Sequence, residues 1–397
     1  MKVELRITRD LLKCILVDVA LPEYSARLGG VNTPSSLRPP CLAMSPQVML
    51  DYDTLCAIIE QADFDTLKTL SAVNKDICHR AARRLWRCFT IATRTPPSRR
   101  VARSNLEQAI SIISNRDRLP YLRDLRIHIW ASLGPDDGPE SEAVLRKLFH
   151  LIDALTLLST LEVVAYNHQS RVVSKLAEQS ILIPDLTRLS LDLGPFYDML
   201  QMDFFWYSHP KITNLKLFIY HPFDLPNGTL PNLSAIRILH VQHSCMVRGR
   251  PVTDVDIQEL SDEQCTTFLD NLRASTTPIT SLAARFAEKS IEAYVKVLAN
   301  LPHLRSLRIT QERMPDKGVE HVNAMVGLAS LRELEFIEWA GLRGPDEKGQ
   351  EHFFRACSKE CRSIRRVTFH WWGGHGRTFE RKSADDEWAI VHYKQLT

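Results

Sequence analysis

A proline followed by regularly spaced aliphatic residues, P-x-[LI]-x-x-[LI]-x-[LI], occurs five times in this chain, starting at Pro120, Pro184, Pro210, Pro231 and Pro302. The copies read PYLRDLRI, PDLTRLSL, PKITNLKL, PNLSAIRI and PHLRSLRI. Looser versions stand at Leu161 (LEVVAY), Ile279 (ITSLAA), Leu331 (LRELEF) and Ile364 (IRRVTF), which makes nine units at spacings mostly between 21 and 46 residues. A period of that length marks a repeat array, in which each unit is too small to bury its apolar side alone. Proline cannot continue a helix and pushes the residue before it toward extended geometry, so each Pro marks the passage into a strand. The closing pair, Leu125 and Ile127 in the first copy, alternates with period two and faces one side of a short strand.

Amphipathic helical spacing fills the gaps between these strands: Leu106, Ala109, Ile110 and Ile113; Cys265, Phe268, Leu269 and Leu272; Ile291, Tyr294, Val295 and Leu298; Val319, Val322 and Val326 with Met325. Strand followed by helix, repeated, predicts an α/β fold with a parallel sheet backed by helices. This pattern resembles the leucine-rich-repeat solenoid, with its sheet on the concave side and helices on the convex side. Each repeat of such an array packs only on its neighbours, which leaves the inner surface free to bind. The residues alternating with the core positions then project onto the concave sheet. Their middle column holds Arg126, Lys216, Arg237 and Arg308 with one acid, Glu335, and His128 and His370 stand beside it. Guanidinium groups grip carboxylates and phosphates bidentately, so the column suggests an acidic or phosphorylated target segment; a solvated face with chance charge is the alternative.

Residues 50 to 91, LDYDTLCAIIEQADFDTLKTLSAVNKDICHRAARRLWRCFTI, form a separate helical pattern ahead of the repeats. Leu55, Ile58, Ile59 and Ala62 fall on one helical face, with Asp51 and Asp53 placed where N-caps and dipole-favoured acids belong. A second short helix after Asp65 presents Leu67 and Leu70, with Val73 just beyond it. A third, from near Asp76, lines up Ile77, Ala81, Leu85 and Trp86 opposite Arg80, Arg83, Arg84 and Arg87. Three helices this short need outside support, since domains below roughly 40 residues seldom stand alone.

The stretch resembles the F-box, the helical adaptor of Skp/cullin-type ubiquitin ligases. Leu50, Asp53, Leu55, Ile58, Leu67, Leu70, Val73 and Trp86 fall at the family's pattern positions, while Asp51 stands where the family usually has Pro and Thr66 separates Asp65 from Leu67. The resemblance implies that Leu50, Leu55, Ile58, Leu67, Leu70, Val73 and Trp86 contact a Skp-type adaptor and, through it, a cullin scaffold. The repeats resemble the irregular receptor halves of fungal F-box proteins, which implies that they hold a target protein. The organisation expected is therefore an arm and linker over 1–44, an F-box-like unit over 45–91, a linker over 92–104 and the repeat domain over 105–397.

Composition narrows the remaining classes. An apolar fraction of 44% with 24% charged residues suits a globular chain, and a net charge of +3 argues for neither nucleic acid nor membrane. Nine scattered cysteines, an odd number, suggest reduced thiols in the cytoplasm or nucleus. Lys13 and Asp18 interrupt the apolar run Leu11–Leu21, so it serves neither as a signal core nor as a span. Residues 28–46 are rich in Gly, Pro and Ser, as linkers are. Cys357 and Cys361 with His352 and His370 have the types of a zinc site, but Phe354, Cys357 and Cys361 share one helical face, where buried thiols are the commoner outcome. Trp371 and Trp372, ahead of three glycines in the next four residues, either reach a partner from the end of the last strand or cap the array. No G-x-S-x-G, Walker loop, H-E-x-x-H or Cys-x-x-Cys is present, so neither enzyme activity, a cofactor nor a metal is expected. The functional expectation is a ubiquitin-ligase substrate receptor; the alternative is an interaction scaffold with a degenerate F-box and no ligase role.

Overall fold

Leu125, Leu161, Leu189, Leu215, Ile236, Val255, Leu282, Leu307, Ile337 and Val367 stand side by side in register, one from each of ten consecutive parallel strands. All ten are buried. They form the central seam of the fold, and at about 1.5–3 kcal/mol for each fully buried aliphatic side chain the seam is a large part of what holds successive repeats together.

In the computed structural model the described residues are 59–60, 62–70, 75–93, 99–115, 118–129, 138–165, 181–194, 202–220, 223–286, 300–311, 331–341, 354, 362–371, 375–384 and 386–395. The chain divides into two compact units, Met1–Phe89 with Arg116–Arg123, and Thr90–Asn115 with Asp124–Thr397.

The first unit contains helices α1 (Phe64–Leu70) and α2 (Lys75–Leu85). Asp63 caps α1, its Oδ1 accepting the Thr66 amide at 2.8 Å. Ile59, Leu67, Leu70 and Ala81 are buried together, with Ala62 and Leu85 packed against them. Arg84 donates to the Ile59 carbonyl at 3.1 Å and meets Glu60 at 3.3 Å, which ties α2 back to the residues before α1. A 3-10 turn at Leu119–Tyr121 completes the unit, where Tyr121 Oη lies 2.8 Å from His79 Nδ1.

Thirteen strands form one open sheet in sequence order: β1 (Cys88–Thr93), β2 (Asp124–Ile129), β3 (Thr160–Ala165), β4 (Arg188–Gly194), β5 (Asn214–Ile219), β6 (Ala235–His240), β7 (Asp254–Leu260), β8 (Ser281–Phe286), β9 (Ser306–Gln311), β10 (Phe336–Gly341), β11 (Arg366–Trp371), β12 (His375–Glu380) and β13 (Ala389–Gln395). β2 to β11 are parallel, and β12 and β13 close the series antiparallel. Parallel neighbours need a crossover, and helices occupy several of these: α3 (Arg99–Ile113) precedes β2, α4 (Gly138–Asp153) precedes β3, α5 (Asp203–Ser208) precedes β5 and α6 (Cys265–Arg273) precedes β8. Their apolar faces, including Leu106, Ile110, Leu148, Phe149, Trp206 and Phe268, are buried as the strand core is. The fold is thus α/β, a mostly parallel open sheet built from a repeated strand unit.

Several expectations are corrected by this architecture. β7 splits the longest gap in the repeat series; its Val252, Val255 and Ile257 fill the core positions, but with Val in two of them and Pro251 one place too close the motif is hidden. β1 begins inside the segment assigned to the helical unit, and α3 begins at Arg99, inside the expected linker 92–104. In the unit at 331, Leu331 aligns with Leu301 rather than Leu304, because β10 pairs Phe336 with Ser306 and Ile337 with Leu307. The helices expected around Ile291 and Val319, and the cysteines at 357 and 361, lie outside the described residues.

Arg250 and His209 are buried in the second unit with their side-chain nitrogens hydrogen-bonded. Arg250 is 5% exposed, and all its guanidinium nitrogens donate to loop oxygens: Nε to Thr229 O (2.9 Å), Nη1 to Met246 O (2.9 Å) and Arg248 O (3.3 Å), Nη2 to Pro226 O (2.9 Å), Leu225 O (3.4 Å) and Thr229 Oγ1 (3.2 Å). The side chain does for the loop before β6 and the turn before β7 what a strand would do, giving partners to carbonyls that have lost water. Arg250→Ala should cost about 3–5 kcal/mol in chemical denaturation, because it strands those carbonyls, and Arg250→Lys should recover less than half of it.

His209 is 2% exposed, with Nδ1 donating to Phe205 O at 2.7 Å and Nε2 accepting the Ile183 amide at 3.0 Å. Both contacts suit the neutral ring, and burial lowers its pKa below the ordinary 6.5 although the Phe205 carbonyl opposes this. A depressed folded pKa stabilises above the unfolded value and loses that contribution as pH falls. The thermal midpoint should therefore drop below pH ~6.5. His209→Gln, whose amide can make the same two bonds, should show a shallower drop in a pH series of melting curves.

Candidate functional site

Side chains that alternate with the buried seam stand on the opposite, polar face of the sheet. Its middle column, in register from β2 to β11, reads Arg126, Glu162, Ser190, Lys216, Arg237, Asp256, Ala283, Arg308, Glu338, Thr368. The sequence-based reading found the four cations but not the acids between them. Arg126 Nε lies 3.7 Å from Glu162, Arg237 Nε 3.0 Å from Asp256, and Arg308 Nη2 2.8 Å from Glu338. Three of the four basic residues are thus neutralised by an acid on the next strand.

Glu335, expected in this column, is not on it. It sits in the turn before β10, where its amide donates to Arg305 O at 2.9 Å and its carbonyl accepts from Arg365 N at 2.8 Å. Aligning Leu331 with Leu304 would put Glu335 opposite Arg308, but the observed register puts Glu338 in that position. Glu333 lies in that turn too; its hydrogen bond from His303 (3.0 Å), together with Arg305, holds its carboxyl below the usual range.

The two histidines complete a recurring arrangement. His128 Nε2 lies 3.4 Å from the Glu162 that meets Arg126, and His370 Nε2 lies 3.2 Å from the Glu338 that meets Arg308. Gly376, opposite His370 on β12, makes room for this ring, because a Cβ there would come within 2.9 Å of His370 Nδ1. Between β5 and β6 the face is aromatic and basic. Lys216 Nζ sits 4.7 Å from the Phe218 ring centre and the Arg237 guanidinium 5.4 Å from it, while Tyr220 meets His240 edge-on at 5.5 Å. On β7, burial raises the Asp254 carboxyl pKa and Asp256 adds to the rise, against the Ser281 hydrogen bond and Arg308.

No family model matches the chain, and no curated protein matches its sequence.

Of the residues assigned to adaptor contact, Leu67 and Leu70 are buried in the helical unit's own core at 4% and 0% exposure. Trp86 is half-buried, stacked on Phe89 at 6.3 Å and covered by the Arg118 guanidinium at 4.2 Å from the ring centre. Leu50, Leu55, Ile58 and Val73 lie outside the described residues, as does Trp372, while Trp371 is the last residue of β11.

Elsewhere, an open cleft of about 290 Å³ is lined by residues including Arg273, Ser275, Thr277 and His303; its arginine already bonds Asp270 and Asn300. Cys245 has its thiol pKa pushed up to about 11, first by burial and then by Asp224, so it is a poor nucleophile at neutral pH. Among the described residues no cluster of three His, Cys, Asp or Glu side chains could hold a metal ion, and no helix is long and apolar enough to cross a membrane.

The half-exposed setting of these pairs limits their energy. A double-mutant cycle on Arg308 and Glu338, read by chemical denaturation, should give a coupling under about 1 kcal/mol, since the Arg308 side chain is 55% exposed.

Proposed function

We propose that this protein is a receptor for other proteins, a leucine-rich-repeat array that captures a target and an F-box-like unit that binds a Skp-type adaptor and through it a cullin. The observation that supports target capture is the polar face itself: ten parallel strands present in-register side chains with the strand core sealed behind them. Such a face has room for an extended partner.

The ligase role is proximity. Holding a target beside a charged ubiquitin-conjugating enzyme raises effective concentration and requires no catalytic group of this chain. Binding without ligase assembly is the second reading, and Asp51 in place of the family's Pro favours it.

The test is co-purification of the full chain with a Skp-type adaptor. The expected result is adaptor and cullin in the eluate, both lost when Leu55, Ile58 and Trp86 are changed together to Ala. Adaptor without cullin supports the scaffold reading, and no adaptor at all overturns the F-box assignment.

A further inference from the structure

The neutralised pairs make one position on the polar face conspicuous. Arg126, Arg237 and Arg308 each have an acid on the next strand, but Lys216 has Ser190 on one side and Arg237 on the other. Among the described residues no carboxylate lies within ion-pair distance of Lys216. Its ammonium is instead held over the Phe218 ring.

A second, independent feature adjoins it. Ser190, the in-register neighbour of Lys216 on β4, has its hydroxyl sheltered and without a hydrogen bond. A sheltered hydroxyl is costly to leave unpaired, and at this position it is a donor beside a cation. Asn214 and Arg188, in register with each other one step along the same two strands, add an exposed amide and a second cation. On the other side, Phe218 and Tyr220 continue the Lys216 row of β5, and Tyr220 is 50% exposed.

We infer that Ser190 and Lys216 form the seat for a carboxylate of the captured protein, and that Phe218 and Tyr220 receive an apolar side chain next to it on the same segment. The inference rests on the receptor reading and locates its binding centre on β4 to β6. The local charge decides between a carboxylate and a phosphate. On β4 to β6 the charges are Arg188, Lys216 and Arg237 against Asp192; Arg237 is already paired with Asp256 of β7, and Glu162, in register beside Ser190 on β3, is paired with Arg126. A carboxylate brings one negative charge to a seat flanked by Glu162 and Asp192, whereas a phosphate near pH 7 brings closer to two and meets more repulsion from them. The occupant is thus an unmodified acidic segment with an apolar residue near its Asp or Glu. The sequence-based expectation of Arg126, Arg237 and Arg308 as the gripping residues gives way, because each already holds an acid.

The experiment selects phage-displayed random short peptides on the full chain and measures the enriched ones by fluorescence anisotropy. Enriched peptides should share an Asp or Glu close to an aromatic or aliphatic residue. Lys216→Glu should weaken them by about tenfold or more, as loss of a hydrogen bond to a charged group does. Ser190→Ala and replacement of the peptide's Glu by Gln should each weaken binding several-fold, and Arg308→Glu, four strands away from Lys216, should not. Ser190→Ala removes one oxygen and is the arm that a folding defect does not imitate; Lys216→Gln repeats the charge test more gently.

Peptides indifferent to Lys216 and Ser190, peptides without an acid, or no enrichment would each overturn the inference. Tighter binding when phosphoserine replaces the Glu would overturn the carboxylate assignment. These outcomes are separate from adaptor capture: the receptor reading can lose its adaptor while the peptide result stands, and the reverse.

Discussion

Register across the sheet depends on one recurrent hydrogen bond. At the entry to each repeat the amide two residues before the seam position donates to the equivalent carbonyl of the repeat before: Thr187 to Ser159, Thr213 to Thr187, Ser234 to Thr213, Thr253 to Ser234, Thr280 to Thr253, Arg305 to Thr280, Glu335 to Arg305 and Arg365 to Glu335, all at 2.8–2.9 Å. From Thr187 to Thr280 the hydroxyl of the same residue reaches that carbonyl as well, at 3.1–3.4 Å. A slip of one residue would send every seam residue to the polar face and every charge to the core. The ladder of entry turns and the burial of the Leu and Ile seam thus enforce the same alignment, and the loops between repeats are free to vary in length.

That alignment also creates the electrostatics of the face. Arg126 and Glu162 are 36 residues apart by number and adjacent only because β2 and β3 are in register; Arg308 and Glu338 become neighbours in the same way. These pairs are partly solvated, so they add little stability; what they do is cancel charge along the face. In the middle column, among the described residues, Lys216 is the cation left without an acid, next to an unpaired hydroxyl and an aromatic strip.

The closing strands serve a different need. A parallel array ends on a row of unpaired backbone groups, and β12 folds back antiparallel to cover those of β11. Arg381, 4% exposed, fastens this cap by donating to Ile364 O at 2.7 Å and Ala384 O at 3.0 Å with its guanidinium near Trp388. Phe354, Phe369 and Phe379 pack beside it. The aromatic, glycine-containing segment after β11 was open between a partner-reaching loop and a cap, and the antiparallel return places a cap immediately beyond it.

Much of this architecture could be read from aliphatic spacing, because burying a strand's inner face requires Leu, Ile or Val at period two and leaves the mark in the letters themselves. The strands at Leu125, Leu161, Leu189, Leu215, Ile236, Leu282, Leu307 and Val367 follow from that rule, and the apolar faces of α3 and α6 from the helical period, which together give the α/β class. Units that met the same physics with other letters were missed: β7 uses Val where the motif had Leu or Ile, and β10 carries the pattern in a different phase. The site was readable only in halves. Lys216, Arg237, Arg308 and His370 were visible as outward residues of recognisable strands, but their partners Asp256 and Glu338 lie on the strands whose register was missed. Local pattern can say which side of a strand a residue faces, because that depends on the residue's own neighbours in the chain. It cannot say which charge lies beside which, since cross-strand pairs are fixed by hydrogen bonds between repeats tens of residues apart, and that pairing alone leaves Lys216 and not Arg126 or Arg308 without an acid.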